Sequence, residues 1–277
     1  FGSTETVHIM VSGESSTYIP EMKWLSRQLG DRFSVCDSTF TNIKEGDSVY
    51  RFFELFDLPN IEASDFLFAA ARKKSIQITA PPKSYLEEKM LFALFWNRNL
   101  KEFWQRELGV KYTRQLEKVI PETWIIDPMP LPPHAAIPGL NLTKWDQLAD
   151  LSQKNRQLIL KLSGFNERSW GSRSVRLGAD LPQTEWAEAV ELAISQFYTS
   201  PWILQRYKKP RTVQHDWFNF DTESTIPMKG RVRLCPYYFV QEESKVCLGG
   251  VLATICPANK KIIHGMRDAI MAPCSTV

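Results

Sequence analysis

Leu158-Ile-Leu-Lys161-Leu-Ser163-Gly164-Phe-Asn-Glu-Arg168-Ser-Trp170-Gly171-Ser172-Arg173-Ser174-Val175 is the stretch on which the reading of this chain turns. Leu158 to Leu162 is an apolar run of strand length, and Lys161 near its end projects an ammonium from a fixed backbone. The polar loop Ser163 to Val175 follows. Its small residues let backbone N–H groups approach an anion, and Arg168 and Arg173 add guanidinium groups for oxygen recognition. Pro182 then opens a helix at a position where its missing N–H costs little. Trp186, Ala189, Val190, Ala193, Ile194 and Phe197 follow the i, i+3, i+4 spacing of one buried helix face. Trp202-Ile-Leu-Gln205-Arg206-Tyr207 is a second apolar strand, ending in an amide side chain suited to an adenine slot.

Upstream, Val7 to Val11 and Phe33 to Cys36 read as strands around a helix from Pro20 to Leu29. A helix around Ala63 to Lys74 leads to a strand at Ile76 to Thr79, closed by Pro81-Pro82. This alternation predicts an α/β domain of parallel type over residues 1–80. The period of Ser48 to Asp57 is ambiguous; its aromatics read as core, while Glu54 and Asp57 are candidates to face a cleft and receive a cationic amine. Lys83 to Leu108 is expected to be the longest helical stretch. Ile120 to Ile126 is extended, and five prolines between Pro128 and Gly139 predict a loop. In the last quarter, Arg231 to Val240 and Val246 to Ile255 read as an antiparallel pair, with a further strand near Ile262-Ile263.

Composition narrows the function classes. The 277 residues are 43% hydrophobic and 12% aromatic, ample for a core. A net charge of +3 from 34 basic and 31 acidic side chains provides no field for gripping nucleic acid. The longest basic cluster, Lys208-Lys209-Pro210-Arg211, reads as a solvated turn. The longest apolar run, Met90 to Trp96, falls far short of the ~20 residues that span a bilayer, so no membrane partner is expected. The polar start carries no basic stretch of a secretory signal. Five cysteines without a C-x-x-C pair read as reduced thiols, and the expected location is cytoplasmic.

Strand with Lys, small-residue loop, amphipathic helix, then strand and hinge: this order resembles the lid of the ATP-grasp superfamily. The resemblance implies an ATP-grasp fold, α/β (α+β) in class, with an N-terminal pre-ATP-grasp-like domain over 1–80 and the ATP-grasp domain over 81–277. Within the latter the lid spans about 122–205 and the C-terminal subdomain 206–277. It implies ATP and Mg2+ as cofactors. Lys161 is implied as a phosphate contact, with Ser163, Gly164, Trp170, Gly171 and Ser172 in the covering loop and Gln205, Arg206 and Tyr207 at the adenine. Glu87-Glu88-Lys89 and Pro121-Glu-Thr123 are similar to the family's Lys-bearing helix and Pro-x-Thr strand start, making Lys89 a second phosphate contact. Arg231 to Val240, Gly249 to Thr254 and Arg267-Asp268 resemble the last strands of the glutathionylspermidine-synthase-like, circularly permuted branch, although the element order here is unpermuted. Arg173 and Arg233 are the implied catalytic cations, and Asp268 with Asn259 the implied metal ligands.

Two departures stand out. Ser174 occupies a position where the lid often has glycine, and the closing acid and Glu-x-Asn pattern for magnesium is not evident. The implied activity is an ATP-dependent carboxylate–amine ligase acting through an acyl phosphate on small-molecule substrates. The alternatives are a nucleotide-binding module without catalysis and an interaction protein that keeps the fold. Each candidate has a plainer reading: Lys161 as a surface strand end, Lys89 as a solvated helix face, Arg231 and Arg233 as partners of Glu242 or Glu243. His264 reads as a satisfied core or turn histidine.

Overall fold

Val7–Val11 is apolar at every position but His8, the pattern of a strand covered on both faces. In the computed structural model, which describes residues 5–163, 166–169, 171–240, 245–264 and 269–275, this strand (β1) lies inside a parallel sheet and is wholly buried. The sheet order is β2-β1-β3-β4, with β2 at Phe33–Cys36, β3 at Ser48–Phe52 and β4 at Gln77–Thr79. Helices α1 (Ile19–Leu29) and α2 (Ser64–Arg72) cover it. Alternation along β1 separates two cores. Ile9 and Val11 pack with Met22 of α1, whereas Met10 packs with Val49, Ile61 and Leu67 on the α2 side.

His8 is buried in that strand, and its presence there needs a partner. Its Nε2 lies 3.0 Å from Oδ2 of buried Asp47, and its Nδ1 lies 3.1 Å from Ser34 Oγ. Asp47 also accepts the backbone N–H groups of Thr6 and Lys44. Burial alone lifts the Asp47 carboxyl, but the Lys44 N–H, His8 and the Thr6 N–H outweigh it and hold its pKa below the ordinary 3.8. The stability this provides is present above the unfolded carboxyl pKa and fades as pH falls through the lower folded value. Asp47→Asn is expected to cost about 3 kcal/mol at pH 7 by urea unfolding. The gap between variant and parent should close in strong acid.

Residues Lys83 to Leu108 are not one helix. After a 3-10 turn at Ser84–Leu86 come α3 (Met90–Trp96), a second 3-10 turn at Arg98–Leu100, and α4 (Lys101–Leu108). The break is at Asn97, whose backbone turns extended and whose Oδ1 accepts the Asn99 N–H at 2.9 Å. Gly109, at φ 79, then joins α4 to α5 (Val110–Val119) in a conformation that favours glycine.

The second sheet is antiparallel, in the order β5-β8-β6-β7: β5 Thr123–Ile125, β6 Leu158–Leu162, β7 Arg176–Leu177 and β8 Trp202–Arg206. One face of β6 and β8 (Leu158, Leu160, Leu162, Trp202, Leu204) packs on Trp186, Val190 and Ala193 of α6 (Gln183–Ser195) and on Leu148 from the proline-rich connection. The opposite face therefore carries Ile159, Lys161, Ile203 and Gln205.

The third sheet, β12-β11-β10-β9, is also antiparallel: β9 Thr212–Asn219, β10 Ser224–Val240, β11 Val246–Pro257 and β12 Ile270–Pro273. The expected pair is present and β9 extends it. Ile262-Ile263 is not a strand; the further strand is β12. The chain is thus mixed α/β, one parallel sheet followed by two antiparallel ones. No helix among the described residues is long and apolar enough to cross a membrane. None of the five cysteines is in a disulfide.

Candidate functional site

Register places the chemistry. In the β6–β8 ladder Lys161 sits opposite Ile203 and Ile159 opposite Gln205, so Lys161 and Gln205 are diagonal neighbours on the face away from α6. The Lys161 ammonium donates to Gln205 Oε1 at 2.7 Å. Gln205 Nε2 donates to Thr123 Oγ1 at 2.9 Å, and Thr123 donates to the Pro121 carbonyl at 2.8 Å. Gln205, expected at adenine, is buried, lines the cavity beside Lys161, and brackets that lysine from a polar chain anchored on β5.

Lys89 arrives from another element. It caps the N-terminus of α3, and its Nζ donates to the Ser169 carbonyl in the covering loop at 2.7 Å. Both lysines line one cavity of about 410 Å3. Burial and the nearby charge of Lys89 depress Lys161 to a pKa of about 8; burial likewise lowers Lys89, against the opposing pull of Glu88. The two ammonium groups sense each other, and the described lining adds Arg206, Lys208, Arg233 and Lys261 without a single carboxylate.

The other sequence candidates divide. Ser172, Arg206, Tyr207 and Arg233 line this cavity with the two lysines. Arg206 is tied to Glu122 and stacks 5.5 Å from the Trp124 ring centroid. Arg233 donates to the Ile263 carbonyl and Thr254 Oγ1 at 3.3 and 3.4 Å. Gly171 and Ser172, both at φ 63, form the tight bend of the loop. Ser163 is fully buried and its hydroxyl donates to Glu88, so it braces the Lys89 turn rather than facing the cavity. Arg173 points elsewhere: it is exposed and pairs with Glu14 at 2.9 Å, outside the cavity lining. Ser174, at the position where the lid often has glycine, accepts the Leu162 N–H at 3.3 Å and so links the end of the loop to β6. Gly164 and Trp170 lie outside the described residues, as do Asp268, Glu242 and Glu243.

Among the wall residues that sequence reasoning missed are Lys208, Lys261 and Ile263. Lys208 was set aside in a basic turn; Ile263 belongs to an expected strand that does not form, and Lys261 lies beside it. Beyond Tyr207 a second cavity of about 510 Å3 shares Leu177, Tyr207 and Lys261 with the first and adds Gln153, Gln157 and Arg231. Arg231 donates to the Tyr207 hydroxyl at 3.3 Å, and its buried Nε has no partner.

A Mg2+ ion takes hard oxygen ligands, chiefly carboxylates and water. Asn259, the other implied ligand, is in an exposed turn after β11 and does not line the cavity. Among the described residues no group of three or more His, Cys, Asp or Glu converges, and Gln205 Oε1 is occupied by Lys161. The described residues do not fit a Mg2+ site.

No protein-family model matches this chain, and no curated protein does. Among solved structures it is similar to D-alanyl-alanine synthetase A from Vibrio cholerae, at 12% identity over 94% of this chain and 69% of that one, with a TM-score of 0.44. So distant a likeness assigns neither family nor activity.

Proposed function

We propose that the chain is an ATP-grasp protein that binds ATP in the cavity between β6, β8 and β10, and that it works as an ATP-dependent carboxylate–amine ligase. One observation carries this: Lys89 and Lys161, from separate elements, meet in a cavity whose described walls hold six cations and no acid. Two half-buried ammonium groups facing each other are unfavourable until an anion neutralises them, and a triphosphate is such an anion. The phosphates lie at Lys89, Lys161 and Arg233. The base lies past Tyr207, where the unpartnered Nε of Arg231 and the amides of Gln153 and Gln157 offer hydrogen bonds.

In this reading the γ-phosphoryl group passes to a substrate carboxylate oxygen, leaving ADP. The amine lone pair then attacks the carbonyl carbon of the acyl phosphate. The new C–N bond replaces the C–O bond to phosphorus, the amine loses a proton and inorganic phosphate leaves. The cations hold the charge of the transferring group, and the loop over 163–175 keeps water from the acyl phosphate. The similarity of β10 and β11 to the circularly permuted branch belongs to the same reading.

The absence of acids from the described wall favours a second reading, a nucleotide-binding module without turnover. Isothermal titration and an ADP-release assay over a panel of acids and amines separate the two. ATP should bind saturably and adenosine far more weakly, because the cations have nothing to neutralise in the nucleoside. ADP release that needs both an acid and an amine supports the ligase, and binding without release supports the module. Failure of ATP to bind at all defeats both.

A further inference from the structure

Lys89 and Lys161 share one cavity but hold their protons differently. Lys89 Nζ donates to the Ser169 carbonyl at 2.7 Å, and the charge of Glu88 pulls its pKa back up against burial. Lys161 has no such counter-charge: burial and the charge of Lys89 both push it down. Among the described residues its hydrogen-bond partner is Gln205 Oε1, at 2.7 Å. That oxygen is fixed in place, because the same amide donates through Nε2 to Thr123 Oγ1 at 2.9 Å.

The contact with Gln205 uses a single N–H. A neutral amine keeps it and still has a lone pair for the cavity, so the bracket orients the nitrogen without occupying that pair. The other charged groups on the described wall are Arg206, Lys208, Arg233 and Lys261, and as cations they all favour the neutral form of Lys161. The cavity thus holds two amines of unlike readiness. The one kept charged suits a phosphate, and the one that loses its proton easily suits attack on a carbonyl carbon.

We infer that Lys161 is a modification site, acylated at Nζ by acyl phosphates whose phosphate group is held by Lys89. As a reactive amine Lys161 stands on the geometry above. As the fate of an acyl phosphate formed in this cavity without an amine co-substrate, its acylation rests on the ligase reading. The Nζ lone pair attacks the acyl carbon and a C–N bond forms. The bond from that carbon to the bridging oxygen breaks, and its electron pair stays on the oxygen. Nζ gives one proton to the departing phosphate, which leaves as hydrogen phosphate. The amide keeps one N–H for Gln205 but carries no charge, so acylation removes one of the two ammonium groups and closes the cavity to ATP.

The test incubates the whole chain, without nucleotide, with acetyl phosphate and measures acetylation at each lysine by peptide mass spectrometry. At pH 7.5 Lys161 should react at least tenfold faster than Lys89 or the exposed Lys23. Its pKa of about 8 predicts a rate that rises about tenfold from pH 7 to pH 9 and then levels, whereas a solvated lysine gains reactivity until about pH 10.4. Lys89→Met should slow acetylation of Lys161 at least tenfold, and Lys89→Arg should keep it near the parent rate. Acetylation spread evenly over the lysines, a Lys161 rate still climbing past pH 9, or indifference to Lys89→Met overturns the assignment. ATP binding without selective acetylation removes this inference alone. Selective acetylation that saturating ATP does not slow would uphold the modification site and remove the nucleotide from Lys161.

Discussion

Lys161→Ala is expected to weaken ATP binding about a hundredfold, the ~3 kcal/mol typical of removing one partner from a desolvated charge pair. The fold should persist, because the Lys161 side chain lies on the face of β6 away from the core and its loss removes no packed apolar group. Titration of the same lysine adds a sharper signature. With its pKa at about 8 in the free protein, Lys161 begins to lose its proton just above neutrality. A bound triphosphate favours the charged form and raises that pKa, so binding at pH 8 takes up about half a proton. Affinity is then nearly flat below pH 7 and falls about tenfold between pH 7 and pH 9. The stability dependence has the opposite sense. A lowered folded pKa penalises the folded state below pH 8, and the penalty disappears as pH rises toward the unfolded value of 10.5. Lys161→Arg keeps the charge at all these pH values and should remove the pH step in affinity. Calorimetry in two buffers of different ionisation enthalpy measures the proton uptake. A parent protein with no uptake and a flat profile would remove Lys161 from the phosphates.

How much of this was legible in the chain depends on the range of the interaction. Lys161 stood out because β6 is otherwise apolar, and the α6 face was legible because Trp186, Ala189, Val190 and Ala193 keep strict helical spacing. The parallel sheet followed from short apolar runs separated by helices. Register was not legible. That Lys161 meets Gln205 diagonally depends on which residues pair across the β6–β8 ladder, and an amide at a strand end reads equally as a base contact or a bracket. The position of Arg173 was not legible for a similar reason: its partner Glu14 is 159 positions away, and nothing local distinguishes that ion pair from a phosphate contact. The break at Asn97 turned on one side chain capping its own backbone within a strongly apolar stretch, where periodicity outweighed it. The acid-free wall was out of reach, since it draws on five separate elements and the turn at Lys261.

Trp186→Ala is expected to produce the largest loss of stability, about 3–5 kcal/mol. The indole is fully buried, its Nε1 donates to the Leu148 carbonyl at 2.7 Å, and the Arg156 guanidinium carbon sits 6.0 Å from its ring centroid. Gly178 crosses so closely that a Cβ there would lie 3.0 Å from the ring, so no neighbouring side chain from that side is positioned to fill the void. Trp186→Phe isolates one part of the cost: it keeps most of the volume but leaves the Leu148 carbonyl without its donor, an expected loss of about 1–3 kcal/mol. Urea unfolding measures both. Because the indole supports β6 and β8 from the side opposite Lys161 and Gln205, the damage should fall on stability and spare the cavity. Folded Trp186→Ala molecules should then bind ATP with parental affinity, and saturating ATP should raise their unfolding midpoint by the mass-action increment set by that affinity. A well-folded Trp186→Phe protein that has lost ATP would show instead that packing on α6 sets the Lys161–Gln205 geometry, with the two faces of the sheet acting as one unit.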